Sequence, residues 1–428
     1  MTNQSKFKKG EFKILEKCRF CDQTNLKNVL HFKNFPLAGS FLNNLNEISK
    51  ELYFPLTLLF CTNCKSGFCK QIINQNNLFK NINNTSEYFY YSSKIPYLKE
   101  HFYKLAKQIS EIFQNKKNIL EIGCNDGVLL KPLKEFGFKV IGIDPSSTIN
   151  EISEEEIIQY NSYFNETIVT DIINKYGKQD LIISCNCLAH IDDIDSIYKN
   201  IKKILKDDGI VIIEVHYFKN VIDNMNFDFI YHEHMSYYTI NSFLELSKKY
   251  GFYIDDLNFI DTHGGSLRIF LKNNDINEKF CSEKINILLG QEINLEKNLD
   301  NMINNIFEWK ISILKIINEF KNKDGYLIGY GASGRTNTIL NFLNVKFDYI
   351  FDDSDKKINK YLPKFHTKII NSEEIYNMNI KTIFILAWPY FRSILNKHKK
   401  FIEDNGKFII ILPRIIIVDK ENFNLSVK

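Results

Sequence analysis

Three features that would each indicate a particular class of protein are missing from this sequence. The 55 Lys and Arg residues exceed the 51 Asp and Glu residues by only +4 in 428 residues, with no concentrated basic stripe, which argues against a nucleic-acid partner. No apolar run is long enough to cross a bilayer, and the stretch 1–13 lacks the apolar segment of a signal peptide. We therefore expect a cytoplasmic protein of two or three domains that binds neither nucleic acid nor membranes.

Nine cysteines in a reducing compartment need an explanation other than a disulfide framework. Four of them form two CxxC motifs, and two such turns can present four thiolates to one tetrahedral Zn²⁺ with no coordination position left for a substrate. A turn (FPLAGSFL) and a strand (LYFPLTLLFC) are predicted between the motifs. The sequence thus predicts a structural zinc site in a small β-rich module. Its predicted ligands are Cys18, Cys21, Cys61 and Cys64.

A short apolar strand, a glycine-containing loop and a helix follow at residues 117–130 (KNILEIGCNDGVLL). Gly123 and Gly127 allow the backbone to approach a ligand at the carboxyl edge of a parallel sheet. The next strand ends in Asp144, whose carboxylate can accept hydrogen bonds from both ribose hydroxyls of an adenosine group. Because the loop is not GxGxxG and follows an acidic residue, it favours S-adenosylmethionine over a dinucleotide. The predicted cofactor residues are Glu121, Gly123, Asn125, Asp126, Gly127 and Asp144.

Strands predicted over 180–191 and 209–218, with a helix over about 194–205 between them, extend this core to a doubly wound sheet. His190 lies just past one of these strands, at the edge where α/β proteins bind their ligands.

The segment Phe227–Tyr238 (FDFIYHEHMSYY) is the strongest candidate for chemistry. It places Tyr231, His232, Glu233 and His234 in consecutive positions, and such a cluster is costly to bury unless its polar groups have partners. A solvated, aromatic-rich loop is the alternative.

A long packing helix is predicted over about 286–321, and GYLIGYGASGRTNTILNFL then repeats the order of strand, glycine-rich loop and helix. This second Rossmann-like unit is free to bind the nucleotide end of a substrate, unless it is a purely structural copy. Its candidate residues are Gly331 and Ser333 near phosphates, Arg335 as an added charge and Trp388 facing a base or sugar. Before it, a turn at His263 and the following Arg268 could meet a phosphate or form a structural hairpin.

In their order, the paired CxxC motifs, EIGCNDG, GIDPS, NCLAHI, FDFIYHEHMSYY, THGGSLRIF and GYGASGRTN resemble one family. These are the S-adenosylmethionine-dependent sugar C-methyltransferases, which act on nucleotide-linked 4-keto-6-deoxysugars in antibiotic and surface-polysaccharide pathways. The likeness covers nearly the whole chain. It departs from the family pattern at His216, where Pro is usual, and at Arg335, where Lys is frequent.

The resemblance implies S-adenosylmethionine and a structural Zn²⁺ as cofactors, with a nucleotide-linked ketosugar methylated at C3 beside a C4 ketone. It implies that His234 is the general base, that Tyr231 and Glu233 hold the substrate or its enolate, and that His190 contacts the sugar. A His base and a Tyr donor are what enolate formation needs. A sugar O-methyltransferase of the same fold and a non-enzymatic nucleotide-sugar-binding protein are the alternatives.

The expected fold is α/β in three parts. They are a zinc module over 1–80, a central Rossmann-like class I methyltransferase domain over 81–280 and a second Rossmann-like domain over 281–428. The nucleotide, the sugar and the oligomeric state stay open, and a monomer is compatible with the sequence.

Overall fold

The N-terminal part of the chain forms small antiparallel sheets around the CxxC motifs. The structure is a computed structural model that describes residues 12–79, 90–153, 157–274 and 280–423. The elements of this part are β1 (Phe12–Ile14), β2 (Leu26–Pro36), β3 (Tyr53–Cys61), β4 (Gly67–Cys69), β5 (Gln71–Ile73) and α1 (Asn76–Phe79). Strand β3 pairs with both β2 and β4, and β1 pairs with β5. The predicted strand LYFPLTLLFC forms β3.

The central part is built on a sheet that has seven strands within the described residues. The strands are β6 (Asn118–Ile122), β7 (Lys139–Ile143), β8 (Ile158–Tyr160), β9 (Gln179–Cys185), β10 (Leu205–His216), β12 (Phe252–Ile260) and β13 (Ser266–Asn273), in the spatial order β12-β13-β10-β9-β6-β7-β8. Its helices are α2 (Pro96–Ile112), α3 (Leu130–Glu135), α4 (Glu166–Tyr176), α5 (Ile194–Ile204), α6 (Phe218–Asp223) and α7 (Ile240–Tyr250).

The directions of the strands in this sheet show at which edge a ligand is expected to bind. The pairs from β8 to β10 are parallel, whereas β13 runs antiparallel between β10 and β12. The strand order reverses between β6 and β9, and ligands of open α/β sheets bind outside the carboxyl ends of strands at such a point. The predicted strand over 180–191 is shorter than expected, because the chain leaves β9 after Cys185 and forms a 3₁₀ turn at Leu188–His190.

The C-terminal part contains a six-stranded sheet built from β14 (Ile328–Tyr330), β15 (Tyr349–Asp352), β16 (Lys368–Asn371), β17 (Thr382–Ile385), β18 (Lys407–Ile410) and β19 (Ile416–Val418). The spatial order is β16-β15-β14-β17-β18-β19, and within the described residues β19 alone is antiparallel to its neighbour. Its helices are α8 (Glu283–Leu289), α9 (Leu295–Asp324), α10 (Gly334–Leu343), α11 (Phe391–Lys397) and α12 (Lys399–Glu403).

The predicted long helix is broken near its start, because a 3₁₀ turn at Gly290–Glu292 separates α8 from α9. The apolar residues that recur at helical spacing along α9 are buried, namely Leu295, Leu299, Met302, Ile306, Trp309, Ile313, Ile317 and Phe320. Among the described residues, no helix has the length and apolar character needed to cross a membrane.

The segment 227–238 lies where the three parts meet. Its strand β11 (Ser236–Tyr237) pairs with β4 and thereby joins the N-terminal sheet. A hydrophobic cluster continues from β3 through this segment to α9 and the C-terminal sheet. The fold is thus the expected α/β arrangement, and all three parts hold the segment in place.

Candidate active site

The four cysteines of the CxxC motifs come together as predicted. Their sulfur atoms lie within 4.8 Å of one another, with Cys18 Sγ 3.5 Å from Cys64 Sγ and Cys21 Sγ 3.6 Å from Cys61 Sγ. Tetrahedral Zn²⁺ with Zn–S bonds of about 2.3 Å places its sulfurs about 3.8 Å apart, so these free thiols fit the ion. Cys69 lies outside this cluster; it is buried, and its Sγ lies 3.3 Å from the carbonyl oxygen of His234.

The loop after β6 turns as its glycines require. Gly123 has a φ of +77°, and a Cβ there would lie 2.5 Å from the side chain of Cys187, so a larger residue does not fit. Gly127 has a φ of +75°. The neighbouring polar residues bind the chain that precedes α2. Asn125 accepts from the Ser92 amide at 3.0 Å, and Asp126 accepts from the Ser93 amide at 3.1 Å.

Two acidic residues beside this loop fit S-adenosylmethionine. The Asp144 carboxylate accepts from the amides of Asn125 at 2.9 Å and Ser146 at 2.8 Å, which fixes it at the end of β7. Glu121 is buried, and its Oε2 has no hydrogen-bond partner within the described residues. Burial and the nearby Asp144 and Asp126 raise the pKa of the Glu121 carboxyl well above its usual range. A bound cation such as the amino group of S-adenosylmethionine would provide the missing partner.

A pocket of about 290 Å³ opens at this edge of the central sheet. Residues predicted for different roles line it, namely Gly123, Asn125, Asp144, His190 and His263. The structure therefore brings the cofactor loop and two of the candidate substrate residues to one cavity.

Both histidines in the pocket are neutral. His190 Nδ1 donates to the carbonyl oxygen of Glu233 at 2.7 Å. Burial lowers the pKa of His190 to about 4 and that of His263 to about 4. His263 has a φ of +54°, an uncommon conformation for a non-glycine residue, and such residues are often found at functional sites.

Tyr231 and His234 form a hydrogen-bonded pair. His234 Nδ1 donates to the carbonyl oxygen of Phe229 at 2.8 Å, so its Nε2 carries a lone pair, which accepts from the Tyr231 hydroxyl at 3.0 Å. The rings of His190 and His216 have their centres 5.0 Å and 5.1 Å from that of His234. Burial, with His190 and His216 adding to it, lowers the pKa of His234 well below its usual range. The arrangement can accept a proton at Nε2 and donate a hydrogen bond from Tyr231.

Glu233 joins the site to the zinc module. Its Oε1 accepts from the Gly39 amide at 3.0 Å, and burial raises the pKa of Glu233 to about 7. His232 has a packing role instead, because it is buried and its Nε2 bonds the carbonyl oxygen of Pro55 at 3.1 Å.

The structure gives both candidate arginines protein partners. Arg268, predicted to meet a phosphate or to belong to a structural hairpin, is buried, and its Nε and Nη2 donate to Glu214 Oε2 at 3.0 and 2.9 Å. Arg335, predicted to add charge near phosphates, donates from its Nε and Nη2 to the buried Asp228 at 2.8 Å each. In both cases a buried carboxylate already neutralises the guanidinium, which is the arrangement a buried charge requires.

The other C-terminal candidates also have local partners. Ser333 caps α10 by accepting from the Thr336 amide at 3.1 Å, and Trp388 Nε1 donates to Asp228 at 2.8 Å. Gly331 has a φ of +96°, and a Cβ there would lie 2.1 Å from Ala387. None of these contacts identifies a ligand, so the role of these residues in substrate binding stays a prediction.

Sequence reasoning missed Asp228, Gly39 and the carbonyl oxygen of Phe229. An acidic residue inside the apolar run FDFIY was a usable signal for Asp228, since a buried carboxylate needs partners. The other two act through backbone atoms, which no side-chain motif reveals.

Comparison with known proteins relates successive stretches of the chain to known families. Three families match it in succession, a zinc binding domain over 18–79, a methyltransferase domain over 97–257 and a C-methyltransferase C-terminal domain over 261–413. C-methyltransferase NovU from Streptomyces niveus is 24% identical over 417 residues, which are 95% of this chain and 98% of NovU. The chain is an S-adenosylmethionine-dependent methyltransferase. It is therefore an enzyme, which removes the alternative of a non-enzymatic binding protein.

Other known proteins are similar to only part of this chain. A ubiquinone biosynthesis O-methyltransferase from Pelagibacter ubique (strain HTCC1062) is 31% identical over 123 residues, 28% of this chain and 51% of that enzyme. The crystal structure of 1,6-didemethyltoxoflavin-N1-methyltransferase from Burkholderia thailandensis is 16% identical, with a TM-score of 0.33 over 43% of this chain and 83% of its own.

Proposed function

We propose that the enzyme methylates C3 of a nucleotide-linked 4-keto-6-deoxysugar through an enolate, with His234 as the general base. The observation that carries the proposal is the Tyr231–His234 pair. Its hydroxyl and its unprotonated Nε2 lie 3.0 Å apart, so a donor for the enolate oxygen and a proton acceptor stand side by side.

A carbon beside a carbonyl becomes nucleophilic only when it loses a proton. His234 Nε2 accepts the C3 proton, the electrons of the C3–H bond form the C3–C4 double bond, and the negative charge moves to the ketone oxygen. The Tyr231 hydroxyl cannot donate to two acceptors at once, so binding of the ketone draws its hydrogen bond away from His234 and exposes the basic lone pair. Bound S-adenosylmethionine would be held by Glu121 and Asp144 and would supply the methyl group. As the ketone re-forms, the electron pair at C3 would make the new bond to the methyl carbon, the S–CH₃ bond would break, and S-adenosylhomocysteine would leave.

The lowered pKa of His234 fits a substrate that carries negative charge. Burial and the neighbouring histidines keep the imidazole neutral. A diphosphate close to this cluster raises the pKa of His234, because a nearby negative charge favours its protonated form. The base thus gains strength when the nucleotide-linked substrate binds.

The nucleotide is assigned to the C-terminal part, over residues 281–428, at the carboxyl edge of its sheet. The start of α10, capped by Ser333, offers the positive end of a helix dipole there, and the Gly331 turn allows close backbone approach. His190 and His263 are proposed to contact the sugar, since both line the pocket that holds the cofactor loop.

Incubation with S-adenosylmethionine labelled with ¹³C in its methyl group and a panel of nucleotide-linked 4-ketosugars tests the proposal. NMR of the product is expected to show the label on a ring carbon next to the ketone. Label on oxygen contradicts the proposal and favours a sugar O-methyltransferase. Methylation of simple ketones at the same rate as nucleotide-linked ones contradicts the nucleotide assignment.

A further inference from the structure

A carboxylate close to the proposed base is held by the C-terminal part of the chain. Asp228 is fully buried and accepts from Arg335 Nε and Nη2 and from Trp388 Nε1, all at 2.8 Å. Arg335 lies in the first turn of α10, and Trp388 follows β17. A bidentate ion pair of this kind has a narrowly defined geometry, because the guanidinium and the carboxylate must lie nearly in one plane.

Phe229 connects the Asp228–Arg335 ion pair to His234. The Arg335 guanidinium lies 4.1 Å from the centre of the Phe229 ring and 4.7 Å from that of Trp388. Phe229 in turn stacks on the His234 imidazole, with ring centres 5.4 Å apart and an angle of 24° between the planes. Its carbonyl oxygen also accepts the hydrogen bond of His234 Nδ1. The position of Asp228 and Phe229 therefore fixes both the plane of the imidazole and the nitrogen that carries its proton.

The N-terminal end of α10 also contacts Tyr231, the other member of the Tyr231–His234 pair. A Cβ at Gly334 would lie 3.4 Å from Cε2 and Cζ of Tyr231, so the start of α10 packs on the tyrosine ring. Tyr231 and His234 thus both rest on a turn of the C-terminal part.

We infer that Asp228, Arg335 and Trp388 form a clasp that sets the orientation and the Nδ1-protonated tautomer of His234. They are positioning residues and not ligands of the substrate. The inference rests on the proposed function in that it takes His234 as the base. A displacement of about 1 Å at a reacting group can slow a reaction by about a hundredfold, so opening the clasp is expected to slow turnover.

The first test needs no substrate and uses the full-length, zinc-loaded chain. ¹⁵N NMR of labelled histidines reports the tautomer of His234, whose signals are assigned by their loss in His234→Gln. The wild type is expected to show the Nδ1-protonated form alone, and Arg335→Ala and Asp228→Asn a mixture of both forms. Trp388→Phe removes only the N–H donor and keeps an aromatic ring, so it is the milder variant if the others fail to fold.

A matched control is Arg392→Ala, which removes an exposed arginine whose guanidinium lies 4.8 Å from the centre of the Phe391 ring. It is expected to leave the His234 signals unchanged. Unchanged His234 signals in folded Arg335→Ala or, failing that, in Trp388→Phe overturn the inference.

Kinetics separate positioning from binding. Arg335→Ala is expected to lower kcat by roughly tenfold to a hundredfold with little change in KM, and added methylguanidinium is expected to restore part of the loss. A rise in KM with kcat intact identifies Arg335 as a substrate ligand and overturns the inference. If the wild type methylates no ketosugar, the proposed function fails, while the NMR result still decides whether the clasp holds His234.

Discussion

Replacing Glu233 with glutamine tests the electrostatics of the site through stability. The carboxyl accepts one hydrogen bond, from Gly39, and burial raises its pKa from 4.5 to about 7. Because the pKa is higher in the folded state, protonation of Glu233 stabilises the fold. This stabilisation is fully present below about pH 4.5 and is lost as the pH rises through about 7. The shift corresponds to a free energy of unfolding of about 3 kcal/mol in total, of which about 2 kcal/mol is lost between pH 5.5 and 8.5.

Glutamine is neutral at every pH and still accepts from Gly39, so Glu233→Gln removes this dependence. Urea unfolding of the zinc-loaded protein at pH 5.5, 7.0 and 8.5 measures it. We expect the free energy of unfolding of the variant, relative to that of the wild type, to rise by about 2 kcal/mol from pH 5.5 to pH 8.5. Glu135→Gln, at an exposed position, is the control and is expected to follow the wild type. Parallel pH dependences for Glu233→Gln and the wild type would refute the reasoning.

Three further predictions concern the metal, the cofactor and the C-terminal turn. Cys61→Ser is expected to lose the zinc and to lower the melting temperature by several degrees, whereas Cys69→Ala is expected to keep one zinc per chain. Metal analysis and calorimetry check both variants, and zinc retained in Cys61→Ser would contradict the assignment of Cys61 as a ligand. Asp144→Asn is expected to weaken binding of S-adenosylhomocysteine by roughly tenfold to a hundredfold in calorimetric titration, and an unchanged Kd would exclude a ribose contact. Gly331→Ala is expected to lower the free energy of unfolding by about 2–5 kcal/mol, because it adds a steric clash with Ala387 to backbone strain. Gly137→Ala, with a φ of +88° and open space around it, is expected to cost only about 1 kcal/mol, and equal losses in urea unfolding would contradict the clash.

Local sequence patterns were sufficient to predict the zinc ligands and the two glycine-containing loops. The spacing of Cys18, Cys21, Cys61 and Cys64 predicted a cluster that the structure contains. The order of strand, glycine loop and helix likewise predicted the turns at Gly123 and Gly331, because positive φ values and close backbone approach leave room only for glycine.

Partners distant in sequence were not predictable. Arg268 was predicted to meet a phosphate or to belong to a structural hairpin, and Arg335 to add charge near phosphates. The carboxylates that they bind lie 54 and 107 residues earlier in the chain. A motif shows that a guanidinium is present and not which buried acid neutralises it. The pairing of β11 with β4 was missed for the same reason, since only the tertiary fold brings the segment 227–238 to the zinc module.

The proposed role of His234 as the base for enolate formation is tested most directly without methyl transfer. With S-adenosylhomocysteine in place of S-adenosylmethionine, a nucleotide-linked 4-ketosugar that the enzyme methylates is incubated with the protein in D₂O, and loss of the C3 proton signal is followed by NMR. The wild type is expected to exchange this proton for deuterium, and His234→Gln is expected to exchange it at least about a hundredfold more slowly. Equal exchange in the two proteins would show that another group removes the proton and would contradict the assignment of His234.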